Sequence, residues 1–329
     1  MPRPRVFITR RLPEAGLEPL RRADVDVDMR PADDPIEREA LLAGVKGASG
    51  VITLRSDRVD GGLLDAAGDA LRIVANYAVG YDNIDVEACT GRGVAVANTP
   101  DVLTEATADH AFALMLAVAR RLREGHALVA SGAWSGWQPM QLLGREVGGA
   151  TLGIVGLGRI GRAVARRALG FGMTVLYHNR QRDPDAEASL GARAVSLDEL
   201  LATSDIVSLH TPLTESTRHL VDAAALERMK PTAILVNTAR GPVVDELALA
   251  EALRRKRLWG AGLDVYEREP QVTAALTELD NVVLAPHTGS ATPSAREAMA
   301  RLASEAVVAV LDGRGAPNLV NPAVLGQGC

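Results

Sequence analysis

The chain has 329 residues, 47% of them apolar and only 3% aromatic, with a net charge of −5. A length beyond one comfortable core predicts two domains, built on Ala, Val, Leu and Ile rather than on rings. The acidic balance excludes nucleic acid as a main partner, because phosphate binding needs a basic face. Two cysteines, Cys89 and Cys329, cannot supply a disulfide framework and suit a reduced compartment. The N-terminus MPRPRVFITR has no apolar stretch, so no secretory signal is expected. The longest apolar run, AFALMLAVA at 111–119, is too short to cross a bilayer. A soluble cytoplasmic protein with no membrane partner is expected.

Short runs rich in Val and Ile alternate with helical patterns, which predicts βαβ units and parallel sheets. In chain order the first strands are RVFIT, VDVDM, GVITL, RIVAN and VAVAN, with helical stretches such as REALLAGV and DVEACTGRG between them. One long helix is expected from about Thr104 to Ala130, closed by SGAWSGWQP. A second series follows: TLGIVG, TVLYH, IVSLH, AILVNT, GAGLDV and NVVLAPH. The helix PSAREAMARLASEAVVAVLDG comes after this series, and periodicity alone does not say where it packs. The pattern is that of an α/β chain with two doubly wound parallel-sheet domains.

Within TLGIVGLGRIGRAVARRALGFG, Gly156, Gly158 and Gly161 stand in GxGxxG spacing between an apolar strand and an Ala-rich helix. Gly156 suits a tight turn, Gly158 the close approach of a pyrophosphate, and Gly161 close helix–strand packing. The helix N-terminus would offer N–H groups and a positive dipole end to the phosphates. The next strand ends at Asn179, 18 residues beyond Gly161, where a ribose-binding acid usually stands. Asn179 removes the repulsion toward a 2′-phosphate, and Arg180 and Arg182 can donate to its oxygens. That predicts NADPH, with NADH possible but less favoured. The alternative, that these arginines are solvated turn residues, stays open.

Four further stretches carry a resemblance: NYAVGYDNID (76–85), NTARGPVVDE (237–246), GLDVYEREP (262–270) and APHTGSAT (285–292). In this order and context the chain resembles the D-2-hydroxyacid dehydrogenases, most of all the glyoxylate/hydroxypyruvate reductase branch. The resemblance implies a flavodoxin-like substrate domain made of 1–99 and 288–329, a Rossmann cofactor domain over 100–287, and an active-site cleft that closes over substrate. It also implies a homodimer in which Trp137 shapes the partner's substrate pocket; the alternative, that Trp134 and Trp137 are packing residues, stays open.

Reduction of a 2-oxoacid needs a carboxylate anchor, a proton donor and a hydride held in line. Arg240, in TARG at a strand end, suits the anchor. His287, in APHTGS at another strand end, suits the acid. Glu269 would orient the imidazole and favour its protonated form. Singly, each has an ordinary explanation as a surface charge, a solvated loop acid or a structural histidine. Motif matches at all three favour the catalytic set Arg240, Glu269 and His287.

By the same resemblance, the N–H groups of Val79 and Gly80 bind the substrate carboxylate. Asp264 accepts from the nicotinamide amide. His210, Thr211 and Pro212 flank the adenosine half, and Thr104 and Thr238 line the nicotinamide end. Leu157, Arg159, Ile160, Ala239 and Gly289 complete the cofactor contacts, and no metal is expected. His110 and His219 lie outside these motifs and read as structural; His178 adjoins the phosphate turn. Thr288 departs from the family, which more often has an apolar residue after the histidine. The function implied is NADPH-dependent reduction of glyoxylate to glycolate and of hydroxypyruvate to D-glycerate. The alternatives are D-lactate, phosphoglycerate or phosphite dehydrogenase, or a dinucleotide-sensing corepressor that acts by binding alone.

Overall fold

Five Val- and Ala-bearing segments of the first hundred residues form one parallel sheet in the computed structural model, which describes residues 3–326. Cys329 lies outside the described residues; Cys89 is buried and free. The strands are β1 (Arg5–Ile8), β2 (Asp26–Met29), β3 (Gly50–Thr53), β4 (Ile73–Asn76) and β5 (Ala95–Ala97), ordered β2-β1-β3-β4-β5. This is the flavodoxin-like doubly wound order. Strands β3 to β5 are buried throughout, as unbroken apolar runs require when helices cover both faces. The edge strand β2 is largely exposed, consistent with its alternating aspartates.

The last helix, Pro293–Leu311, belongs to this first unit, which takes in the residues up to Leu103 and from Ala291 on. It starts where it does because Thr292 caps it, accepting from the Ala295 N–H, and Pro293 occupies the first turn. Its small residues admit close packing: a β-carbon on Gly16 would stand 2.3 Å from that of Ala300. Beyond it, the segment 318–321 closes the outer edge of β5. Val320 N–H donates to Val96 O at 2.7 Å, and the buried Asn321 Oδ1 accepts from Val96 N–H at 2.7 Å.

The second unit, Thr104–Ser290, holds a seven-stranded parallel sheet ordered β12-β11-β10-β9-β6-β7-β8. Its strands are β6 (Thr151–Val155), β7 (Thr174–His178), β8 (Arg193–Ala194), β9 (Ile206–Leu209), β10 (Ile234–Asn237), β11 (Gly260–Leu263) and β12 (Val282–Leu284). Counted from β6, this is the Rossmann order with one added strand. All eleven expected strands are present, and β8 is additional. Two residues, Arg193 and Ala194, carry no periodicity that could announce it.

The expected single helix from Thr104 to Ala130 is two helices, α1 (Thr104–Ala119) and α2 (Leu122–Ala130). The break lies at Arg121, whose backbone is left-handed at φ 52° and whose guanidinium grips Glu124. The new direction lets Arg123 donate to Val282 O at 2.9 Å. The apolar character of 111–119 is consumed by the unit's own core, where Ala111, Phe112, Leu114, Met115 and Val118 are buried. Helix α2 buries none of its residues. Among the described residues, no helix is long and apolar enough to cross a membrane.

Candidate active site

The glycine-rich turn leaves β6 and enters the helix α3 (Arg159–Gly170). Gly156 has φ 96°, and a β-carbon there would lie 2.8 Å from the His210 carbonyl. Gly158 faces open space, whereas a β-carbon on Gly161 would stand 2.3 Å from Gly156 O. Helix α3 has no side-chain N-cap, so its first N–H groups are left for a ligand. Leu157 is buried under the turn; Arg159 is exposed and Ile160 half-buried.

Asn179 supports this turn from β7, its Oδ1 accepting from the Leu157 N–H at 2.7 Å. Arg180 is exposed. Arg182 is committed to Glu187, with Nη2–Oε2 at 2.5 Å and Nε–Oε1 at 3.0 Å. Tyr177 donates to the same carboxylate at 2.6 Å. The Arg182 and Tyr177 hydrogen bonds hold the Glu187 carboxyl below its usual range. Two of the three residues expected at the phosphate turn thus have protein partners. His178 binds Val195 O through Nδ1 at 3.2 Å.

His210 directly follows β9, the strand beside β6. Its Nε2 meets Ser208 Oγ at 2.8 Å, and its buried Nδ1 has no partner. Thr211 is half-buried and Pro212 exposed beyond it. After β10, Thr238 and Ala239 are buried, and Thr238 Oγ1 has no partner. These orphaned polar atoms, the open Gly158 and the uncapped helix fit a bound dinucleotide, because buried polar groups ordinarily find partners. Burial pushes the His210 imidazole down to about 4. The unfolded chain takes up a proton near pH 6.5 that the folded chain refuses until about pH 4, so stability falls as pH drops through that window. The loss is roughly 3 kcal/mol by pH 4. Urea midpoints at about pH 7 and pH 4.5 check this: the fall is expected to shrink in His210→Gln, and an equal fall in both proteins would place the titration elsewhere.

Arg240, Glu269 and His287 follow three neighbouring strands, β10, β11 and β12. Asn237, at the end of β10, is 1% exposed; its side chain bonds the Ala239 N–H at 3.0 Å and Arg240 O at 2.9 Å. Arg240 Nη1 donates to Ala239 O at 2.7 Å. A β-carbon on Gly241 would fall 1.9 Å from the Tyr266 carbonyl carbon, so the arginine turn lies directly on the loop that carries Glu269. That loop is held by Tyr266, whose N–H donates to Glu269 Oε1 at 3.1 Å and whose hydroxyl donates to Ala285 O at 2.9 Å. His287 Nδ1 lies 2.9 Å from Glu269 Oε2 and 3.2 Å from Oε1. His287 itself is left-handed, with φ 55°.

Asp264, 1% exposed, accepts from the Thr288 N–H at 2.7 Å and the Gly289 N–H at 2.8 Å. His110 Nε2, outside the quoted motifs, approaches the same carboxylate at 3.1 Å. Burial raises the Asp264 carboxyl, but the His110 bond and the two amides outweigh it and keep it below its usual range. His219 stands apart, bonded to Glu267 at 3.1 Å. Thr104 is the first residue of α1, and Trp137 is 82% exposed. In the first unit, the Val79 and Gly80 carbonyls accept from Asn98 at 2.7 Å and Asn76 at 2.8 Å. Tyr266, Asn237 and His110 carried no motif of their own, although Tyr266 and Asn237 lay inside quoted ones.

Residues 112–289 match the D-isomer specific 2-hydroxyacid dehydrogenase, NAD binding domain. The chain is 53% identical over 327 residues to a glyoxylate reductase of Thermococcus kodakarensis, covering 98% of both chains. The chain belongs to the D-isomer specific 2-hydroxyacid dehydrogenases. Among solved structures, a protein from Thermus thermophilus matches with a TM-score of 0.90 and 49% identity, over 96% of this chain and 99% of that one. An NADPH-dependent glyoxylate/hydroxypyruvate reductase from Sinorhizobium meliloti, in complex with NADP and malonate, matches with a TM-score of 0.84 and 35% identity, over 97% of each. This 2-hydroxyacid dehydrogenase is therefore an oxidoreductase of CH–OH donors that uses a nicotinamide dinucleotide.

Proposed function

We propose that this dehydrogenase reduces glyoxylate to glycolate and hydroxypyruvate to D-glycerate with NADPH. The observation that carries the reading is the Glu269–His287 pair at 2.9 Å beside the Arg240 turn. With Nδ1 held by the carboxylate, His287 gives its proton to the carbonyl oxygen from the other ring nitrogen, Nε2. Glu269 holds the ring in one orientation. Arg240 binds the substrate carboxylate with its planar fork. The glycine turn would hold the dinucleotide by its pyrophosphate, and its reduced nicotinamide would supply the hydride. Asp264, Thr104 and Thr238 serve the nicotinamide end, and His210, Thr211 and Pro212 the adenosine half.

The names of the relatives support glyoxylate, and the absence of an acid at Asn179 supports a 2′-phosphate. Turnover across glyoxylate, hydroxypyruvate, phenylpyruvate and phosphite, with both cofactors, tests the whole reading. Glyoxylate and hydroxypyruvate should lead; a preference for phosphite or phenylpyruvate would defeat it. No turnover with any of them would leave a binding protein instead.

Arg180 carries the cofactor preference, since Arg182 is held by Glu187. A charged hydrogen bond is worth about 1.5–3 kcal/mol, so Arg180→Ala should weaken NADPH by roughly ten- to a hundredfold and leave NADH nearly unchanged. Equal loss for both cofactors would show that Arg180 does not meet the phosphate.

The protein acts as a homodimer through α2 and the loop after it. Leu122, Val129, Trp134, Trp137, Met140 and Leu143 are all more than half exposed, an apolar surface larger than isolated side chains explain. Light scattering should give twice the chain mass, 34.7 kDa. An active monomer at assay concentration would refute this.

A further inference from the structure

The chemistry above gives no work to His110, yet the packing of its helix aims it at one carboxylate. Strand β11 carries glycine at 260 and 262, and α1 lies directly on it. A β-carbon on Gly262 would stand 2.9 Å from that of Leu114, and one on Gly260 would stand 2.7 Å from Val118 Cγ1. Leu114 and Val118 are one turn apart, so the same helix face continues one turn back through His110 and then Thr107. That face meets the C-terminal end of β11, where Asp264 stands. His110 Nε2 lies 3.1 Å from Asp264 Oδ1. Thr107 covers Gly289, 3.4 Å from where a β-carbon would be; Asp264 Oδ2 would be 3.0 Å from that same point.

The buried carboxylate therefore holds the His110 ring, the consecutive N–H groups of Thr288 and Gly289 and, at 3.4 Å, the Thr288 hydroxyl. Those two amides directly follow His287, whose φ of 55° is a region that residues with a β-carbon avoid. A left-handed residue within a turn lets successive N–H groups converge on one anion. The unfavourable backbone at the histidine is thus held by Asp264, and Asp264 is held in turn by His110.

We propose that His110 is a positioning residue, which pins the Asp264 carboxylate on the Thr288 and Gly289 amides and so fixes the backbone turn on which the His287 imidazole stands. The proposal rests on the reading of His287 as the acid. It concerns orientation and not proton transfer.

Two variants test it. His110→Leu keeps bulk on the helix face and removes the donor; His110→Gln keeps an N–H at nearly the same reach. At saturating NADPH with glyoxylate varied, His110→Leu should lower kcat by roughly tenfold with KM for glyoxylate within about twofold, and His110→Gln should restore most of it. Amide hydrogen exchange at Thr288 and Gly289 should quicken by about tenfold in the leucine variant and recover in the glutamine variant. Unchanged kcat and exchange in His110→Leu would overturn the proposal. So would a loss that glutamine fails to restore, since the ring would then merely pack. Should His287→Ala keep its turnover, the acid role fails, while the exchange of the two amides still decides whether the clamp exists.

Discussion

His287→Ala is expected to lower turnover by about a hundred- to ten-thousandfold, the range over which a positioned general acid contributes. The proton is needed only as the carbonyl oxygen gains charge, so KM for glyoxylate and for the cofactor should move little. Glu269→Gln keeps a side chain of the same shape beside Nδ1 but loses its charge. Its loss should be smaller, roughly ten- to a hundredfold, the value of one charged hydrogen bond. Stopped-flow reduction of glyoxylate at saturating NADPH separates the chemical step from product release. Near-normal turnover in His287→Ala would end the mechanism.

Arg240→Ala should lose turnover and affinity together, because a carboxylate anchor serves ground state and transition state alike. Truncating one member of a buried charge pair removes about 2–5 kcal/mol, or some thirty- to several-thousandfold in kcat/KM. Arg240→Lys should restore little of it, since a point charge cannot reproduce the planar fork that meets a carboxylate with two parallel bonds. The check is kcat/KM for glyoxylate in both variants, beside the dissociation constant for NADPH. Full recovery with lysine would mean that Arg240 supplies charge and no geometry.

Apolar runs announced most of the eleven strands because buried parallel strands are written almost wholly in Val, Ile, Leu and Ala, as in Ile234–Asn237, whereas the exposed edge strand β2 alternates with aspartates. The two-residue β8 is too short for any pattern, and its place is set by pairing with β7. The break at Arg121 was invisible to periodicity: no glycine or proline marks it, and an arginine adopts a left-handed backbone to reach Glu124. The glycine turn was legible because each glycine answers a different steric demand. The pairing of Glu269 with His287 was implied by motif alone, since 18 residues and a strand separate them. The commitment of Arg182 to Glu187 depends on how the short helix Pro184–Leu190 starts, which composition does not state. The approach of His110 to Asp264 depends on the two glycines of β11 that admit the helix, and only the folded chain brings them together.

The contact at Gly241 bears on how this enzyme can be redesigned. With no room for even a methyl group against the Tyr266 carbonyl, residues 240–241 and 266–269 are one mechanical part. Libraries that randomise Arg240's neighbours to broaden substrate choice would also shift the glutamate behind the imidazole, and lose rate in ways that look like lost specificity. Changes at the two loops would not add. Catalytic breadth is better sought where no second backbone leans on the first, leaving that block intact as a cassette.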